Sequence, residues 1–172
     1  MKRGQTPSQT VGPYFAYGLV AEQYGYPHNQ IANGVISGEG HRIGITGRVL
    51  DGKGEPVVDA LVEIWHPGEG FARYGTGTTP DQSYMFSTIK PRRRSSEDAP
   101  HLSVIIFMRG LLSHLFTRIY FADETDANKT DSTLIGLSED RRTTLLAKSV
   151  GESEYQFDIH LQGEHETVFF DL

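Results

Sequence analysis

The sequence contains no cysteine. That absence excludes a disulfide framework, a thiolate zinc site and a cysteine nucleophile together, so any metal would need histidine, carboxylate or tyrosine ligands. Basic residues are also in short supply: 16 Lys and Arg against 22 Asp and Glu leave a net charge of −6, the wrong sign for a dedicated nucleic-acid binder. No apolar run reaches the roughly 18 residues of a membrane span, and no apolar stretch follows the charged start MKRGQTPSQT as it would in a secretory leader. These absences predict a soluble, cytoplasmic chain with no membrane contact. The one basic cluster, KPRRR at residues 90–94, lies between two strand patterns and reads as a solvated loop.

Familiar catalytic signatures are missing as well. There is no G-x-S-x-G, no H-E-x-x-H and no dinucleotide glycine fingerprint. GRVLDGKG, residues 47–54, approaches the phosphate-loop pattern but ends in glycine and runs into a strand pattern instead of a helix, so it reads as a hairpin turn. NKT, residues 128–130, reads as a surface turn.

What is present is alternation. HRIGITGRVLD puts Ile43, Ile45 and Val49 on one face, EPVVDALVEIWHP sets Ala60, Val62 and Ile64 against Leu61, Glu63 and Trp65, and QSYMFSTIKP, HLSVIIFM, HLFTRIYF and EYQFDIHLQG continue the pattern. Short strands, turn residues between them and 19 glycines predict one all-β domain, an antiparallel β-sandwich with short helices over 130–136 and 139–147, the latter capped by Ser138. A chain of 172 residues buries enough surface to fold without covalent staples. Residues 1–40, rich in Gly, Pro, Tyr and Gln, read as an extended N-terminal arm over the core at 41–172, placed to touch a neighbouring subunit.

Of seven histidines, His101 and His114 lie in apolar sequence, and neither has a second histidine two to four residues away. A lone histidine of this kind reads first as a satisfied core residue. Arg109 closes the run VIIFM just before Gly110; its guanidinium there serves either a planar carboxylate in a pocket or a surface ion pair.

Four ordered blocks carry a resemblance that spans residues 6–172. TPSQTVGPYF, ITGRVLDGKGEPVVDALVEIWHP, APHLSVIIFMRGLLSHLFTRIYFADE and YQFDIHLQGEHETVFFDL resemble the protocatechuate 3,4-dioxygenase chains of the intradiol ring-cleavage dioxygenase family, the last two blocks being similar to the alpha type. The resemblance implies a hetero-oligomer whose beta subunit holds a non-haem ferric ion through two tyrosines and two histidines. Hard ferric iron suits phenolate and imidazole, and open positions let a catechol chelate it. Dioxygen then opens protocatechuate between its hydroxylated carbons to give 3-carboxy-cis,cis-muconate.

By the same resemblance the family's His-x-His pair falls on His101 and Ser103. One tyrosine position falls in HPGEGFARYG, read as a shortened loop near Tyr74, and the other in KPRRRSSEDAPH, which contains no tyrosine. The loops at 66–80 and 91–99 are both shorter than the family pattern. The resemblance therefore implies a chain with no catalytic residue and no metal of its own. Its arm residues Thr10, Val11, Gly12, Pro13 and Tyr14 would line the substrate pocket at the alpha–beta interface, with Arg109 orienting the protocatechuate carboxylate. Two other readings stay open: a self-sufficient dioxygenase using His101, His114 and a tyrosine such as Tyr74, and a scaffold domain with no active site nearby.

Overall fold

The computed structural model describes residues 4–171; residues 1–3 of the predicted arm and residue 172 at the end of the core lie outside the described residues. Strands β1 (Arg42–Leu50), β2 (Leu61–His66), β3 (Gly70–Gly75), β4 (Ser83–Ile89), β5 (His101–Phe107), β6 (Leu115–Phe121), β7 (Leu146–Ser149), β8 (Glu154–Gln156) and β9 (Ile159–His160) form one sheet. Its order is β3-β2-β5-β6-β7-β8-β1-β4, with β9 pairing β1. The all-β expectation holds, but the antiparallel one does so only in part. β1 runs parallel to β8 and β9, and β6 runs parallel to β7 because the chain returns through the helical segment between them and enters the sheet from the same end. Residue alternation alone carries no information on strand direction.

The sheet curls until its edges meet. Segment 33–36 bonds to both edge strands: Arg73 N of β3 donates to Asn33 O (2.9 Å), Ser87 N of β4 donates to Gly34 O (2.8 Å), and Ile36 N donates back to Ser87 O (2.9 Å). Edge strands with unpaired backbone groups invite aggregation, and this strap removes the hazard. The enclosed core takes the inward residues of every long strand, among them Ile43, Ile45, Val62, Ile64, Phe86, Val104, Ile119 and Phe157. Gly47 is required within it: a Cβ there would lie 1.8 Å from the Phe157 carbonyl oxygen and 2.7 Å from the Tyr84 hydroxyl, which itself donates to that carbonyl.

Several local expectations are corrected. The 51–54 turn forms, with Asp51 Oδ1 accepting from Lys53 N (2.8 Å) and Glu55 N (3.0 Å), but β2 does not return along β1; it pairs with β3 and β5. HPGEGFARYG is a hairpin, with β3 in full register against β2 from Leu61↔Gly75 to His66↔Gly70. The arm is not simply extended. It contains helix α1 (Tyr14–Leu19), which Pro13 enters with φ −63°, and a 3-10 turn at Ala21–Tyr24; Ala16 and Val20 pack on Leu61. Helices α2 (Thr125–Asn128), α3 (Ser132–Ile135) and α4 (Glu139–Thr143) follow β6. The last helix stops short of Ala147, which belongs to β7, and Ser138 precedes it without a side-chain cap bond.

Candidate functional site

Two regions bear on function. The first lies where the arm meets the β5–β6 loop. β5 ends at Phe107, and the loop turns at Gly110, whose φ of +94° suits glycine. The Gly110 amide donates to the Thr10 hydroxyl (2.8 Å), and that hydroxyl reaches the Met108 carbonyl at 3.4 Å, so one threonine fastens the arm to the loop. Beside this clasp is a cavity of about 260 Å³ walled by Val11, Phe15, Phe107, Met108, Leu112 and His114. Its aromatic side is continuous: Phe15 packs on Phe107 (centroids 5.3 Å apart), Phe107 on His114 (5.4 Å) and His114 edge-on to Phe116 (4.6 Å). The apolar setting expected for His114 is therefore observed.

The residues singled out from the sequence divide at this cavity. Val11 lines it directly, and Thr10 stands beside it, held to Gly110 and Met108 of the loop. Gly12 and Pro13 lead into α1, Gly12 O accepting from Phe15 N (3.1 Å), and Tyr14 stands 77% exposed, edge-on to Tyr17. Arg109 lies between two wall residues of the loop but turns its Nε to Asp59, forming an ion pair. Asp59 is nearly buried while the Arg109 side chain stays 55% exposed; the carboxylate is fixed and the guanidinium remains open to solvent. The sequence reading missed Asp59. Its one signal was an acid interrupting the apolar run VVDALV.

The second region surrounds His101 at the start of β5. Its surroundings are polar, not apolar as the sequence implied. Nδ1 donates to Ala99 O (2.9 Å) and lies 3.5 Å from Asp98 Oδ1, and the ring packs on Tyr120 at 5.1 Å. Asp131, 1% exposed, caps α3 through Oδ1, which accepts from Thr133 N (3.0 Å), Leu134 N (2.9 Å) and the Tyr120 hydroxyl (3.2 Å), while Oδ2 accepts from Ala99 N (2.8 Å). Arg118 donates to the Tyr120 hydroxyl (3.1 Å) and to Thr133 Oγ1 (3.1 Å). Burial, assisted by the Arg118 charge and opposed by the Ala99 bond, holds the His101 pKa below its ordinary value.

Ligand atoms of Asp98, His101 and Asp131 lie within 4.8 Å of one another, yet the set does not suit a cation. Both Asp131 oxygens are occupied, the near nitrogen of His101 carries a proton it donates to a carbonyl, and a guanidinium stands beside the cluster. Nor does it suit the two-tyrosine, two-histidine ferric set. Ser103, opposite Trp65 and Arg118 in the ladders, offers a hydroxyl where an imidazole would be needed, and Tyr120 is consumed by Asp131 and Arg118.

The self-sufficient set fails on distance. β5 and β6 pair His101 with Tyr120 and Ile106 with Leu115, which leaves His114 at the far end of the hairpin, on the order of 15–20 Å from His101 at the usual rise per residue. Tyr74 packs against the core, edge-on to Phe86 at 6.1 Å.

No protein-family profile matches the chain. Among curated proteins it is 42% identical over 192 residues to the protocatechuate 3,4-dioxygenase alpha chain of Burkholderia cepacia, covering 98% of each. It is 38% identical over 196 residues to that of Pseudomonas putida, covering 98% of this chain and 96% of that one. The beta chain of the Burkholderia cepacia enzyme is 31% identical over 174 residues, 81% of this chain and 73% of that one. Among solved structures, an intradiol ring-cleavage dioxygenase from Tetranychus urticae superposes with a TM-score of 0.63 at 15% identity, covering 96% of this chain and 98% of that one. The dioxygenase domain of a carbohydrate-binding fusion from Streptomyces sp. SirexAA-E gives 0.61 at 22%, covering 96% and 100%; at these identities both speak for the fold. Near full-length identity to two alpha chains, with the sheet of intradiol dioxygenases beneath it, settles the relationship: this chain belongs to the protocatechuate 3,4-dioxygenase alpha-chain family.

Proposed function

We propose that this chain is the iron-free alpha subunit of a cytoplasmic protocatechuate 3,4-dioxygenase, folded as an intradiol-type β-sandwich. In this reading the ferric ion belongs to the beta subunit, and protocatechuate and dioxygen react there to give 3-carboxy-cis,cis-muconate. The alpha chain supplies a wall of the substrate pocket through Thr10, Val11, Gly12, Pro13, Tyr14 and Arg109, and its arm, residues 1–40, contacts the partner. One observation carries the iron-free half: Ser103 stands where the ligand pair needs a second imidazole, and the nearby phenol of Tyr120 is engaged by Asp131 and Arg118. The pocket half is supported by the Thr10–Gly110 clasp, which holds the arm against the loop that bears Arg109.

Steady-state kinetics of the assembled enzyme test the pocket role. Arg109→Ala is expected to raise KM for protocatechuate about tenfold with kcat little changed, the pattern of a lost charge-assisted contact to bound substrate. Asp59→Asn, which frees Arg109 without removing its charge, is expected to leave KM near the parent value. Unchanged KM and kcat for Arg109→Ala would remove Arg109 from the pocket; an equal KM rise for Asp59→Asn would mean that the ion pair shapes the loop and the charge is irrelevant.

A further inference from the structure

His66 ends β2 on the face that carries Val62 and Ile64 into the core, at the opposite end of the strand from Leu61 and the arm cavity. Only 9% of it is exposed, and neither Nδ1 nor Nε2 has a hydrogen-bond partner among the described residues. A histidine always carries at least one N–H, and buried polar groups in native proteins are as a rule paired. An orphan imidazole of this kind points to a group that the protein itself does not supply.

The imidazole lines a cavity of about 330 Å³ bounded by the 66–69 turn, Glu39 and the 89–94 loop. The cationic groups there are not equally available. Lys90 is spent on Asp123 (2.6 Å) and Glu124 (2.8 Å), and Arg93 is directed at the Ser95 and Ser96 carbonyls and the Thr130 hydroxyl. Arg92 and Arg94 also line the cavity, and among the described residues neither has a carboxylate within ion-pair distance. Two unpaired guanidinium groups on one short loop suit an oxyanion, since each presents a planar fork of donors. Glu39 and Glu69 share the cavity. They would repel a bare anion but would accept a hydrogen bond from an anion that carries a hydroxyl.

We propose that this cavity binds a small oxyanion bearing a hydroxyl donor, a hydrogen phosphate or a hydroxycarboxylate, with Arg92, Arg94 and His66 on its oxygens and Glu69 on its hydroxyl. The loop that composition alone marks as solvated thereby becomes a ligand-binding element.

Calorimetric titration of the full chain with inorganic phosphate, sulfate and malate at neutral pH tests this. Phosphate is expected to bind saturably at one site per chain, at least tenfold tighter than sulfate, which has no hydroxyl at that pH. Arg92→Gln with Arg94→Gln, both on exposed positions, is expected to weaken binding at least tenfold, and Glu69→Gln to erase the preference over sulfate. Malate binding tighter than phosphate assigns the natural ligand to the hydroxycarboxylates, and weaker binding assigns it to the phosphates. Absence of saturable binding by phosphate and malate, binding that the double arginine variant leaves unchanged, or equal affinity for sulfate would overturn the proposal.

Discussion

Asp131 ties three segments together, bonding the first turn of α3, the Tyr120 hydroxyl of β6 and the Ala99 amide that leads into β5. Loss of a buried, multiply bonded acceptor leaves its donors unsatisfied, so Asp131→Ala is expected to cost about 3 kcal/mol in urea-induced unfolding; a loss under about 1 kcal/mol would mean that water or rearrangement replaces the cap. Gly47→Ala meets the Phe157 carbonyl head-on and is expected to cost about 2–3 kcal/mol in the same assay. His101 carries a pH dependence. Burial lowers its folded pKa, so its contribution to stability is complete above the unfolded value of about 6.5 and is lost as pH falls through the lowered folded value. His101→Asn, which keeps a donor for Ala99 O but does not titrate, is expected to lose less stability than the parent between pH 7 and pH 5; identical losses would place the acid sensitivity elsewhere. At this scale the sequence showed the His-x-Ser departure and the strand-end arginine, but not the partners Asp59 and Asp131, because those contacts join residues from distant segments of the chain.

The elements differ in how much of them the sequence revealed. β1, β4 and β5 were legible because each alternates along most of its length with one face in the core; β6 alternates in residue type, although Ile119, Tyr120 and Phe121 are all buried. α1 was not, since six residues containing a glycine give too little period to read. β7 was hidden for a different reason. Its four residues serve two neighbours, Leu146 and Ala147 pairing with β6 while Lys148 and Ser149 pair with β8, a junction that only the closed sheet defines. The arm's attachment is an element-level claim with its own test. Thr10→Val removes the acceptor of the Gly110 amide, and hydrogen exchange at Gly110 is expected to quicken at least fivefold while the β1 amides stay protected. Unchanged exchange at Gly110 would show that the clasp does not hold the arm.

For the whole molecule, the family relationship and the curled sheet place this chain on the scaffold of the intradiol dioxygenases. By resemblance the scaffold keeps a histidine, His101, at a ligand position of the family, while Ser103 takes the place of the second and Asp131 and Arg118 bind the Tyr120 hydroxyl between them. Exposed apolar side chains remain near the arm cavity, Tyr14 at 77% and Leu112 at 66%, the kind of surface that a partner chain would cover. If the beta chain covers it, stability and activity become properties of the assembly. The central claim is then tested by iron content and protocatechuate-dependent oxygen uptake, measured for this chain purified alone and again after co-expression with a beta chain carrying two tyrosine and two histidine ligands. Neither iron nor uptake is expected from the isolated chain, and both are expected from a complex that retains it. Stoichiometric iron with oxygen uptake in the isolated chain would contradict the account and make His101 a working ligand.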